Sequence, residues 1–206
     1  MLTISSPNTD RSLLTLAELR AAAGVSDGSQ DATLVPLGNY ISALITKACK
    51  VAKAGAIPPT LRLETVTETF KLKSEQVSLV LARRPIVEVT SATFSDDSVD
   101  YEVDAAAGVI RQVSGDAFIN WGIGPVSVTY SAGWATVPDD LKYAAIRFVK
   151  SEISVANRDP TLKRLRIEGV SEREWWIPDN PQNDSVVPPD VMDILIRGGY
   201  VNMVTA

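Results

Sequence analysis

Val126-Ser127-Val128-Thr129-Tyr130-Ser131-Ala132-Gly133-Trp134, running on into Val137-Pro138-Asp139-Asp140-Leu141, is the stretch that decides the fold. Its first half alternates apolar and polar residues, the two-residue period of a strand with one buried face. Its second half is a helix entry. A proline there gives up no intrahelical bond, and two carboxylates face the positive end of the helix dipole. The chain passes from strand to helix within a few residues, so it holds both kinds of structure.

On the C-terminal side, Leu141, Ala144, Ala145, Phe148, Val149, Glu152 and Ile153 lie along one side at helical spacing. They predict a helix to about Asn157, before Asp159-Pro160. Thr161 to Trp176 has no clear period. Ile177 to Ser185 is rich in Pro, Asn and Asp and reads as loop. Pro188-Pro189-Asp190 opens a last short helix through Ile196, ended by Gly198-Gly199.

On the N-terminal side, the helical period is missing from Leu61 to Tyr130. Arg62–Phe70, Val77–Leu81, Pro85–Phe94, Tyr101–Val103, Val109–Val113 and Pro125–Tyr130 read as strands. Such spacing suggests a small antiparallel sandwich or partly open barrel. Earlier still the period is helical. Thr15 and Glu18 have capping-box spacing before a helix from about Leu16 to Ala23, which Gly24 would stop. Leu34, Leu37, Ile41, Leu44, Ile45, Ala48 and Cys49 form one apolar stripe on a second helix from about Asp31 to Lys53. Pro36 would sit near its first turn. The reading is an α+β fold: a small helical core of about four helices with an inserted antiparallel β-domain. The expected divisions are residues 1–57, 58–135 and 136–206, the last with a loop and a C-terminal arm.

Composition narrows the function. The 206 residues are 45% hydrophobic and 22% charged, the balance of an ordinary globular chain. Twenty Lys and Arg stand against 25 Asp and Glu, a net charge of −5. Gripping DNA needs clustered positive charge, whereas an acidic wall lets DNA pass without sticking. Histidine is absent, which excludes Ser-His and Cys-His triads and His-ligated zinc. The lone Cys49 allows no internal disulfide and fits a reducing cytoplasm. There is no signal-peptide pattern and no apolar run of the ~18 residues a membrane span needs, so the chain reads as soluble.

Several groups could carry chemistry. Asp96, Asp97, Asp100, Glu102 and Asp104 form the densest acidic cluster, but their spacing fails the calcium-loop pattern. A solvated hairpin edge explains them. Asp139 and Asp140 read as dipole partners of a helix start, Gly122-Ile123-Gly124-Pro125 as a turn, and Cys49 as buried core. No catalytic, cofactor or metal residue is assigned. Lys163, Arg164, Arg166 and Arg173, against Glu168 and Glu172, fit a nucleic-acid contact or an ion-paired interface. Trp175-Trp176 would be costly to leave in water, and fits either the chain's own core or a neighbouring subunit.

Four motifs, in order, resemble the head–tail connector (adaptor) proteins of long-tailed phages, in a variant with a β-insert. They are Leu14-Thr15-Leu16-Ala17-Glu18-Leu19-Arg20; Leu81-Ala82-Arg83-Arg84-Pro85-Ile86-Val87-Glu88-Val89; the strand-to-helix passage quoted first; and Val187-Pro188-Pro189-Asp190-Val191-Met192-Asp193-Ile194-Leu195. The resemblance implies a virion protein of the neck, made in the host cytoplasm and without catalysis. It implies a ring, usually of twelve copies, beneath the portal protein, which extends the DNA channel and offers a platform to the next neck or tail protein. DNA would pass without sequence-specific binding, and no membrane or cofactor is involved. By position, the loop from Arg164 to Trp176 and the arm from Gly198 to Ala206 would grip the portal or a neighbouring subunit. The candidate contact residues are Lys163, Arg164, Arg166, Arg173, Trp175, Trp176, Tyr200 and Met203.

Two other readings remain open at this point. One is another neck component, such as a head-completion or tail-completion protein. The other, from a different class, is a ligand- or glycan-binding β-domain on a helical scaffold, which would use exposed Trp121 and Trp134. A carboxylate-dependent hydrolase has no supported acid pair.

Overall fold

The computed structural model describes residues 1–156, 164–167, 171–174 and 186–202. The chain divides into two compact units: Met1–Arg11 with Lys50–Thr136, and Ser12–Cys49 with Val137–Ala206. The first is built of strands and the second is mainly helical, so the fold is α+β with a β-domain inserted in the sequence between helices.

The helical unit contains α1 (Leu16–Ala23), α2 (Asp31–Ala48), α3 (Asp139–Ala156) and α4 (Pro189–Arg197). α1 begins with the expected capping box. The Glu18 backbone N–H donates to Thr15 Oγ1 at 3.3 Å, and the Thr15 N–H donates to Glu18 Oε2 at 2.7 Å. Gly24 ends the helix at φ 73°, a left-handed conformation that glycine adopts without strain. Partial burial pushes the Glu18 carboxyl up, but the Thr15 N–H and the Lys142 ammonium at 2.9 Å outweigh it and hold it below its ordinary value.

α2 stops at Ala48, short of the expected Lys53. Lys50 has φ 53°, and a left-handed residue cannot continue a right-handed helix. Pro36 falls in the second turn of α2 and not the first, so one backbone bond is forgone where the helix is exposed to water. Leu34, Ile41 and Ile45 of α2, Leu141 and Phe148 of α3, and Leu195 of α4 are almost wholly buried. α3 packs against the other three helices.

Glu152 continues the buried side of α3 where an apolar residue would be expected, and burial raises its carboxyl pKa. A carboxyl whose folded pKa lies above its unfolded value destabilises the fold above that pKa. The penalty fades as pH falls toward the unfolded value. Glu152→Gln is therefore expected to raise the unfolding midpoint slightly at pH 7 and to lose this advantage near pH 4. Thermal melts of both proteins across that range check the sign. An advantage that grows on acidification contradicts it.

The β-unit consists of β1 (Leu2–Ser6), β2 (Glu64–Leu72), β3 (Leu79–Val80), β4 (Ile86–Phe94), β5 (Asp97–Ser98), β6 (Tyr101–Asp104), β7 (Val109–Ser114), β8 (Ala117–Ile119) and β9 (Gly124–Ala132). The larger sheet has the antiparallel order β1-β2-β9-β4-β5. In the smaller sheet β6 lies on one side of β7, and β3 and β8 share its other side, pairing at Val109–Ile110 and Gln112–Ser114. The two sheets share one core, filled by Val66, Val126, Val128 and Tyr130 from the larger and Leu79 and Ile110 from the smaller, with Trp121 beside them. The outer face of β2 and β9 is a hydroxyl ladder, with Ser5 to Thr67 at 2.9 Å, Thr67 to Thr129 at 3.0 Å and Thr65 to Ser131 at 3.2 Å.

Three strands of the β-unit lie outside the sequence reading. Residues 2–6, taken there with the first helical stretch, pair with β2, 97–98 form β5 on the edge of β4, and 117–119 form β8. A further departure is a hairpin, β10 (Arg164–Ile167) with β11 (Ser171–Glu174), in the segment without a clear period.

Candidate functional site

The stretch quoted at the outset turns on Gly133. Its φ is 103°, and a Cβ there would lie 2.6 Å from the Arg62 carbonyl oxygen. The close approach is fixed by three backbone bonds. Gly133 N–H donates to Pro85 O at 2.9 Å, Trp134 N–H to Leu61 O at 3.0 Å, and Leu63 N–H to Trp134 O at 3.0 Å. The chain leaves β9 here, pinned to the entries of β2 and β4.

Beneath this corner lies a buried polar cluster. Arg83 and Glu64 are 2% exposed and form an ion pair at 2.5 Å. Arg83 Nε also donates to Ala52 O at 3.1 Å, and Glu64 Oε1 accepts from the Asn8 N–H at 3.0 Å. Tyr130 Oη donates to Glu68 Oε2 at 3.0 Å and accepts from the Arg83 N–H at 3.2 Å, while the Ala82 N–H donates to the same Glu68 oxygen at 3.0 Å. Burial, reinforced by the Glu68 charge, pushes the Tyr130 phenol far up, so it stays a hydrogen-bond donor. Both carboxylates are committed to groups of the chain itself. The cluster clamps Ala82-Arg83 to β2 and leaves no acid positioned to act on a substrate. An open, polar groove of about 310 Å³ lies beside it, lined among others by Ser6, Asn8, Glu64 and Ser131.

The other chemical candidates fall in plain places. Glu102 and Asp104 are exposed on β6 and Asp97 on β5, the edge of a hairpin. Asp139 and Asp140 stand in the first turn of α3. Cys49 is fully buried, and burial pushes its thiol up to about 12, far from a reactive thiolate. Trp121 is also fully buried, which removes it from any exposed aromatic platform for a glycan, and Trp134 is half-buried.

The candidate contact residues divide. Tyr200 is buried in the helical unit, where its hydroxyl donates to Asp140 Oδ1. Lys163, Trp175, Trp176 and Met203 lie outside the described residues. Arg164, Arg166 and Arg173 lie on the hairpin, whose register sets Arg164 opposite Glu174 and Arg166 opposite Glu172. The register thus sets two of these three arginine positions opposite a glutamate position, and Arg173 opposite Leu165.

One surface was not foreseen. Val77, Val80, Phe118, Ile119 and Ile123 are exposed by 39–68% and lie on or beside β3 and β8, the open edge of the smaller sheet. No charged residue occurs from Gln76 to Ala82 or from Ala117 to Tyr130. Folded proteins usually guard such an edge with charge or proline.

Comparison with known proteins bears on this architecture. A family model described as head completion protein matches residues 12–151. No curated protein sequence matches the chain. Solved structures share the fold, among them two chains of GTA particles. One is a chain from the neck of an empty GTA particle computed with C6 symmetry, 18% identical, with a TM-score of 0.57 and coverage of 100% of this chain and 97% of that one. The other is a chain from the virion of the native gene transfer agent (GTA) particle, also 18% identical at a TM-score of 0.57, with coverage of 96% and 94%.

Proposed function

The chain belongs to the head completion protein family, and on that premise we propose that it is a structural subunit of the neck of a tailed-phage particle, acting by assembly. It docks as a ring of about twelve copies beneath the portal, lengthens the DNA channel, and gives the next neck or tail protein its platform. It is made in the host cytoplasm and ends in the virion. The observation that carries the reading is the family match over residues 12–151, which spans α1, α2, the β-insert and most of α3. The likeness to chains of GTA particles over nearly the full length of both partners supports it at the level of fold. The net charge of −5 suits a wall that DNA passes without binding.

In this reading the portal or the next subunit is gripped by Lys163, Arg164, Arg166, Arg173, Trp175 and Trp176, with Met203 of the C-terminal arm beside them; Tyr200, buried and bonded to Asp140, takes no part. The free chain is a monomer or weak oligomer, because a heterologous ring closes only when every copy is placed. Light scattering of the chain with and without portal, followed by imaging of the particle neck with the chain labelled, checks this. A ring that appears only with portal is expected. A stable twofold dimer indifferent to portal overturns it.

A further inference from the structure

We propose that the outward face of α2 is the surface on which a second copy of this chain packs, an inference that rests on the ring reading above. Between Asp31 and Lys47 the helix has no charged residue. Its inward side is core, with Leu34, Ile41 and Ile45 buried. Its outward side carries Val35 (42% exposed), Pro36, Asn39, Tyr40 (51% exposed) and Ala43. These return every three or four residues and form one stripe. A solvated helix face normally carries charge. α3 shows that norm in the same unit, with Asp139, Asp140, Arg147 and Lys150 exposed.

Charge matching selects the occupant. DNA or an acidic protein surface would shed hydration against α2 and gain no counter-charge. A second copy offers a matching surface on α1, where Leu16, Ala17 and Ala21 face outward. The two charges of that helix are held within the unit, Glu18 by Lys142 and Arg20 by Asp31. The large side chains of Val35 and Tyr40 would meet the small ones of Ala17 and Ala21. Area fixes the strength. A helix of 18 residues is about 27 Å long and about 10 Å wide, so its face covers on the order of 300 Å². A stable pair needs roughly 800 Å² from each partner. The contact is too small to hold a free dimer, yet every copy of a ring makes it twice, and copies already held on a platform meet at high effective concentration.

Tyr40→Glu tests this against Tyr143→Glu, which makes the same change at a tyrosine 53% exposed on the charged face of α3. Both variants are expected to keep the circular dichroism and melting temperature of the parent, since neither tyrosine is buried. Particles assembled with each protein are imaged at the neck. Ring occupancy is expected to fall at least tenfold with Tyr40→Glu and to match the parent with Tyr143→Glu. Rings at parental occupancy with both variants overturn the α2 interface and leave the ring reading intact. Loss of rings with both variants also overturns it, because the α2 face is then not special. Absence of a ring with the parent chain overturns the ring reading itself.

Discussion

Arg83→Met is expected to cost the β-unit about 3–5 kcal/mol, the largest loss foreseen for any single change away from the apolar core. The substitution keeps the volume and the aliphatic stem but leaves the Glu64 carboxylate, whose side chain has no exposed surface, without its counter-charge. An unpaired charge in that position has no access to water, and the remaining bond from the Asn8 N–H is not enough to hold it. The Ala52 carbonyl loses its donor as well. The pair itself need not be strongly stabilising, because desolvating two ions offsets much of their attraction. The double variant Glu64→Leu with Arg83→Met should therefore recover more than half of the loss. Recovery stays incomplete because the Asn8 N–H and the Ala52 carbonyl remain unpaired. Urea unfolding followed by tryptophan fluorescence reports directly, since Trp121 is buried in the same unit. A single variant within 1 kcal/mol of the parent, or a double variant worse than the single, would sink this account.

Gly133→Ala should be the next most severe, at about 2–4 kcal/mol. Two effects add. The backbone sits at φ 103°, which an L side chain adopts only with strain. The new Cβ would also stand 2.6 Å from Arg62 O and 2.9 Å from Leu61 O, backbone atoms that cannot turn aside. Gly24→Ala separates the effects. Gly24 also has positive φ, 73°, but nothing lies within 4 Å of its would-be Cβ, so the cost there is only the conformational one, about 1 kcal/mol. Equal losses at the two glycines in unfolding experiments would show that the close approach at Gly133 has no consequence.

The helices were legible because their signals are local. Thr15, Glu18 and Gly24 mark both ends of α1 within ten residues, and Pro138-Asp139-Asp140 marks the start of α3. The central strands were legible from their period, but the period did not show which face is buried. On β2 the inward positions include Glu64, Val66 and Glu68. Two of those three are acids, so the sequence points them toward water. Their partners, Arg83 and Tyr130, come from segments 19 and 62 residues away, and no local pattern announces them. β1 escaped for a similar reason. Leu2–Ser6 is short and bears hydroxyls at three of its five positions, and becomes a strand only because Glu68 to Thr65 lie alongside it. The β10–β11 hairpin does alternate, with Leu165 and Ile167 following Arg164 and Arg166, but four residues are too short a run for a period to stand out. Of the candidate contact residues only Tyr200 is fully described, and it turns inward, because its ring closes the turn after α4 and its hydroxyl finds Asp140.

The open edge formed by β3 and β8 sets a limit on how this protein can be stored. The edge carries Val77, Val80, Phe118, Ile119 and Ile123 and invites another strand; no lysine, glutamate or proline lies within β3 or β8, and the charge placed against it is the Arg111 guanidinium, 5.3 Å from the Phe118 ring. Edge-to-edge joining rises with at least the square of concentration, so a stock of this chain is expected to last longer dilute than concentrated.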